Sequence, residues 1–141
     1  MAAVFSDIWH DVIPDLLPLL KQAFGYSEFR DGQHAVIEAT LQGHDSFVLM
    51  PTGGGKSLCY QLPALMLPNV TLVVSPLMSL MKDQVDALQA NGIAAEFVNS
   101  SLSREQVMQV FSRLRRGEIK LLYVAPERLL QPQFIQRLRD V

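Results

Sequence analysis

Leu16, Leu17, Leu19, Leu20, Ala23 and Phe24 recur at helical spacing, so residues 15–24 read as an amphipathic helix that stops at Gly25. Ala35, Val36, Ala39 and Leu41 mark a second helix over residues 31–41, followed by a turn at Gly43-His44-Asp45. The apolar run Ser46-Phe47-Val48-Leu49-Met50 is short and rich in strand formers, and it reads as a buried strand. Residues 51–55 form a loop, and residues 56–67 form a helix that Pro63 should kink or shorten. Further strands are expected at 70–75, 94–98 and 120–124. Helices are expected at 77–91, from Ser103 to about residue 116, and from Pro132 onward, with a short turn at 126–130.

Four strands alternating with helices call for an α/β domain: a parallel sheet with helices on both faces. Ligands of such sheets sit off the carboxyl ends of the strands. The glycine-rich loop follows an expected strand and opens an expected helix, so it stands where a ligand belongs.

That loop carries the strongest chemistry in the chain. Gly53, Gly54 and Gly55 free the backbone to turn N–H groups around phosphate oxygens, and the following helix adds its positive end. Lys56 is placed to reach β- and γ-phosphates, and the Ser57 hydroxyl to ligate Mg²⁺. The strict phosphate-loop pattern begins with a glycine where this chain has Met50.

Composition narrows the picture. The 141 residues suit one domain, and 49% apolar with 18% charged residues describe a chain with a core. Cys59 is alone, so it forms no intrachain disulfide, and it reads as a small buried residue. His10, His34 and His44 are scattered, which argues against a Cys/His metal site. No stretch is apolar for long enough to span a bilayer, and Asp7, Asp11 and Asp15 interrupt the N-terminal apolar positions, unlike a signal peptide. A cytoplasmic setting is expected. Charge is uneven: residues 1–100 carry a net −6 and residues 101–141 a net +4, within the overall −2. The basic third could face a polyanion or be an ordinary solvated face.

Four segments carry a family resemblance. Phe24-Gly25-Tyr26-Ser27-Glu28-Phe29-Arg30-Asp31-Gly32-Gln33 resembles the motif that precedes the phosphate loop in RecQ helicases. Met50-Pro51-Thr52-Gly53-Gly54-Gly55-Lys56-Ser57-Leu58-Cys59-Tyr60-Gln61 is similar to their first motif. Val74-Ser75-Pro76-Leu77-Met78-Ser79-Leu80-Met81-Lys82-Asp83-Gln84 and Leu121-Leu122-Tyr123-Val124-Ala125-Pro126-Glu127-Arg128-Leu129 are similar to the next two. Helicase phosphate loops commonly relax the first glycine, so Met50 is no obstacle.

The resemblance implies a superfamily 2 motor that hydrolyses ATP with Mg²⁺ and unwinds DNA 3′ to 5′ in recombination and repair. Its first domain is a P-loop (RecA-like) fold, here expected at residues 16–141 and incomplete at the C-terminus, after an extension at residues 1–15. It assigns Thr52, Gly53, Gly54, Gly55, Lys56 and Ser57 to the nucleotide, with Lys56 at the reacting phosphates. Gln33 would pair with adenine, and Tyr26 and Arg30 would stack on it. Ser75 and Lys82 would hold the DNA backbone without sequence choice. The family's Asp-Glu-x-His box, which supplies a Mg²⁺ partner and the carboxylate that activates water, has no match in these 141 residues. Two other readings stay open: a P-loop phosphotransferase, and a non-catalytic nucleotide-binding module.

Overall fold

The structure, a computed structural model, describes residues 13–141. Most of the expected N-terminal extension, with His10, Asp7 and Asp11, lies outside the described residues. The chain divides into two compact units, one ending at Leu67 and one beginning at Pro68.

The first unit is helical: α1 (Leu17–Phe24), α2 (Gln33–Leu41) and α3 (Leu58–Met66). Leu16, Leu20, Ile37, Leu41, Leu58 and Leu62 form its core, and each is under a tenth exposed. Gly25 ends α1 in the left-handed region, donating its N–H to the Lys21 carbonyl. Helix α3 continues past Pro63 for a further turn, so the proline does not cut it. Pro63 is buried and its own carbonyl still accepts from Leu67, so the helix loses one internal bond and keeps its packing.

The expected buried strand at 46–50 does not form. Residues 44–50 form neither helix nor strand, and Phe47 and Leu49 are 95% and 89% exposed. An extended segment becomes a strand only when a neighbour takes its N–H and C=O groups, and no described strand pairs with this one.

The second unit holds β1 (Thr71–Val74), α4 (Met78–Ala90), β2 (Ala95–Val98), α5 (Arg104–Arg115), β3 (Leu121–Val124), α6 (Pro126–Leu129) and α7 (Pro132–Arg139). The three strands are parallel in the order β1-β3-β2, with Thr71 opposite Leu121 and Ala95 opposite Leu121 on the other side. Central β3 is buried along its whole length, as expected for a strand covered on both faces. Val98, Leu122 and Val124 pack with Val107, Val110, Phe111 and Leu114 of α5 and Phe134 of α7. The path runs from β1 across to β2 and then back to β3. Crossovers of one hand therefore carry α4 and α5 to opposite faces. Helices on both faces of a parallel sheet is the architecture read from the sequence, with three strands in place of four.

Helix α5 starts with a reciprocal cap. The Gln106 N–H donates to Ser103 Oγ at 3.2 Å, and the Ser103 N–H donates to Gln106 Oε1 at 2.8 Å. Near its other end, Arg113 pairs with Glu96 of β2, and Arg116 pairs with Glu118 at 2.5 Å.

Candidate functional site

The glycine-rich loop is built by local bonds. The Gly54 N–H donates to the Pro51 carbonyl at 3.0 Å, closing a turn. Leu58 and Cys59 then donate to Gly55 and Lys56, which begins the helix. Gly55 has φ +79°, and a Cβ there would lie 2.3 Å from Gln33 Nε2, so only glycine fits. A Cβ on Gly54 would meet the Pro51 carbonyl oxygen at 2.9 Å. The amides of Gly53, Gly55, Lys56 and Ser57 donate to no group among the described residues. Unpaired N–H groups at a helix start are an anion site in waiting, because they and the helix dipole both favour negative charge.

Gln33 and Arg30 reach this loop from 22 and 23 residues away. Gln33 Nε2 donates to the Gly55 carbonyl at 3.0 Å, and Arg30 Nη1 donates to the Gly53 carbonyl at 2.5 Å. The Arg30 N–H donates to Gln33 Oε1 at 2.8 Å, and the Gln33 N–H returns a bond to the Arg30 carbonyl at 3.1 Å. Gly32, at φ +80°, makes the tight turn between them. These partners fix which end of the Gln33 amide is oxygen and which is nitrogen. Gln33 is 3% exposed, yet its amide keeps one N–H and one lone pair beyond these bonds. Tyr26 lies on the turn after α1 and is 55% exposed. Three of the sequence-predicted base-site residues thus lie on one stretch, and two of them grip the loop directly.

Lys56 curls back over its own loop. Its Nζ donates to the Met50 and Pro51 carbonyls at 2.9 and 2.8 Å. Those acceptors are neutral and exposed, so a phosphate can replace them with a charge-assisted bond. Ser57 has helical backbone angles, and its side chain does not cap α3. Its hydroxyl is therefore not spent on the helix. Thr52 is exposed at the loop tip. Cys59, the second residue of α3, is buried, and that burial pushes its thiol pKa up.

The donor set fits a polyphosphate: four amides, one lysine, and glycines where a Cβ would fill the cradle. One hydroxyl also fits Mg²⁺, which usually keeps several waters and takes few protein ligands. Among the described residues no three His, Cys, Asp or Glu side chains gather into a metal site.

In the second unit, Ser75 follows β1 directly. Its N–H donates to the Val124 carbonyl, and its Oγ accepts weakly from Leu77 at 3.4 Å. β1 leads to α4, whereas the chain after β3 leads to α7 on the α5 face, so Ser75 lies where neighbouring strands send their chains to opposite faces. Lys82 pairs with Asp86 at 2.5 Å on the exposed side of α4, which raises the lysine pKa. Arg128 donates to the Asn99 carbonyl at 2.7 Å. Asn99 is buried, and Glu127 beside Arg128 stays exposed. Sequence reasoning missed Arg104 and Arg137, which share a cavity with Arg128. The net positive charge of the last third was their only signal.

The fold class is that of the P-loop α/β domains. The chain belongs to the DEAD/DEAH box helicase family, which matches it over residues 30–141. It is 58% identical over 123 residues to the ATP-dependent DNA helicase RecQ of Haemophilus influenzae, covering 87% of this chain and 20% of that protein. It is 47% identical over 124 residues to the protein of the same name in Bacillus subtilis (87% and 21%), and 49% identical over 121 residues to the RecQ-like DNA helicase blm-1 of Caenorhabditis elegans (84% and 12%). The chain spans about a fifth or less of the length of these relatives. Among the described residues no helix is long and apolar enough to cross a membrane.

Proposed function

We propose that this chain is the ATP-binding part of a RecQ-like 3′-to-5′ DNA helicase. The observation that carries the reading is the grip of Arg30 and Gln33 on the Gly53 and Gly55 carbonyls. A group placed to read a base is thereby coupled to the loop placed to hold phosphates. In this reading the four free amides and Lys56 bind the β- and γ-phosphates, and Lys56 stabilises charge there during transfer. Ser57 supplies a Mg²⁺ ligand, and the bound ion would neutralise phosphate charge. The spare N–H and lone pair of Gln33 meet adenine N7 and N6, with Tyr26 and Arg30 beside the ring. Thr52 closes the loop tip over the phosphates.

DNA is the polymer substrate, as the names of the relatives suggest for those proteins. Ser75 and Lys82 are the first candidate backbone contacts. The Lys82–Asp86 pair is exposed, and such pairs contribute little, so a phosphate can displace it. A phosphotransferase or a non-catalytic nucleotide module would share the loop but not need a polymer. Titration with fluorescent ATP and with labelled single-stranded DNA separates them. The helicase reading expects both to bind, ATP more tightly than GTP. Binding of ATP with no DNA binding would favour the other two, and failure to bind ATP would end the reading.

A further inference from the structure

Strand β1 pairs with β3 on one side and with no other described strand. Thr71 and Ser75 donate their N–H groups to the Lys120 and Val124 carbonyls at 2.8 and 3.1 Å. Backbone groups alternate in direction along a strand, so the N–H and C=O groups of Leu72 and Val74 face the open edge. Their side chains share a face with Leu122 and Val124, their partners in register. Leu122 and Val124 are fully buried among residues of α5 and α7, whereas Leu72 and Val74 are 40% and 49% exposed. The helical cover thus stops short of β1.

The opposite edge of the sheet is guarded, and this one is not. Ala94 and Val98 turn their carbonyls to the β3 side, accepting from Lys120 and Ala125, so Ala95 and Phe97 of β2 face outward. Gln89 Nε2 covers the Ala95 carbonyl at 2.9 Å, and Glu96 puts a charge on the strand, paired with Arg113. Charge and cover on an edge are the ordinary means of keeping it from pairing with another chain. β1 has neither. Residues 68–81 contain no Lys, Arg, His, Asp or Glu, and Thr71, Val73 and Val74 are β-branched strand formers. Pro68 and Pro76 lie outside the strand and do not block its edge.

We propose that this edge is an interface for a second copy of the chain, with β1 pairing antiparallel to the partner's β1 across a twofold axis. An axis between Val73 and the partner's Val73 sets Leu72 opposite the partner's Val74, and Val74 opposite the partner's Leu72. Each of these pairs exchanges two hydrogen bonds, so every outward N–H and carbonyl of the two edges is used. The same register makes apolar cross-strand pairs of the exposed side chains. Because the segment is uncharged, two copies meet with no like charges opposed. The inference is independent of nucleotide and DNA binding. A pair of four-residue strands is a small interface, under about 1,200 Å², of the kind that gives weak and concentration-dependent complexes.

The test is sedimentation equilibrium of the 141-residue chain over a concentration series, with circular dichroism melting to confirm folding. The average mass should rise from 15.8 kDa toward twice that value as concentration increases. Val74→Pro removes one outward N–H per chain and leaves the inward donors of Val73 and Ser75 in place, a change that an edge strand tolerates. It should weaken dimerisation at least about tenfold, since half of the inter-chain hydrogen bonds are lost. Leu72→Glu and Val74→Lys should each weaken it too, because each brings like charges together across the axis. The two charged chains mixed should associate again, because the register sets the substituted positions opposite each other. If Val74→Pro does not fold, the charged pair decides, since both of its changes fall on exposed side chains. A parent chain that stays at the monomer mass at every concentration would overturn the proposal. So would unchanged dimerisation in a folded Val74→Pro or Leu72→Glu variant, or mass rising past the dimer, because a twofold pair closes on itself. Loss of the dimer in Phe47→Ser/Leu49→Ser would overturn it as well, by moving self-association to the exposed residues before the glycine loop.

Discussion

Lys56 and Gln33 show how one residue can be read from sequence in kind but not in posture. That Lys56 belongs to the glycine loop was legible, because Gly-Lys-Ser at a helix start has one well-known use. That it folds back on the Met50 and Pro51 carbonyls was not, since a flexible side chain takes whichever acceptor is near. The posture sharpens a prediction. Both acceptors are exposed, so Lys56→Ala should change stability by under about 0.5 kcal/mol. It should nonetheless abolish nucleotide binding, measured with fluorescent ATP, because it removes the only cation on the loop itself. ATP affinity equal to the parent would end the phosphate-loop assignment. Gln33 is the opposite case. It is buried, and Gln33→Ala leaves the Arg30 N–H and one Gly55 bond unmade, at about 1–3 kcal/mol for a buried polar group left unpaired. Absolute affinity then mixes folding with recognition. The ratio of ATP to GTP affinity does not, and that ratio should fall toward one in Gln33→Ala. A parent chain that already binds the two equally would contradict the adenine role.

At the scale of elements, helices were more legible than strands, for a physical reason. A helix satisfies its own backbone, so periodicity and end signals within a dozen residues suffice. The expected helix of residues 15–24 appears at Leu17–Phe24, and the one opening at Ser103 appears at Arg104–Arg115. A strand depends on a partner elsewhere. Phe47, Val48 and Leu49 have the composition of a buried strand, yet two of the three are almost fully exposed, because composition does not supply a neighbour. The cap of α5 carries a signal that could have been read: Ser103 and Gln106 have the spacing of a capping box. Ser103→Ala should destabilise the chain by about 1 kcal/mol, seen as a lower urea midpoint with unchanged slope. No shift would mean that α5 is held by Val107, Val110, Phe111 and Leu114 alone.

For the whole molecule, the expectation is that the 141-residue chain binds ATP without turning it over. Holding the nucleotide is one part of phosphoryl transfer. Water must also be oriented by a carboxylate, and the developing charge met by Mg²⁺ and an arginine. Lys56 and Ser57 serve the phosphates and the metal. The unit that carries them has Glu28, Asp31, Glu38 and Asp45 among its described carboxylates, and Glu38 sits 3.4 Å from His34 across one turn of α2. None is bonded to the loop, and no described carboxylate belongs to a group of three His, Cys, Asp or Glu side chains that could hold a metal. Arg30 is tied to the Gly53 carbonyl, on the side read as facing the base. Glu127 stands exposed on α6 with no Asp-Glu-x-His context, and Arg128 beside it is anchored to the Asn99 carbonyl. A phosphate-release assay with ATP, Mg²⁺ and saturating single-stranded DNA should therefore stay at the no-protein rate, while fluorescent ATP binds under the same conditions. Steady hydrolysis stimulated by DNA and lost in Lys56→Ala would refute this. It would place a water-activating base among the chain's own carboxylates, and Glu28, Asp31 and Glu127 would be the first to replace.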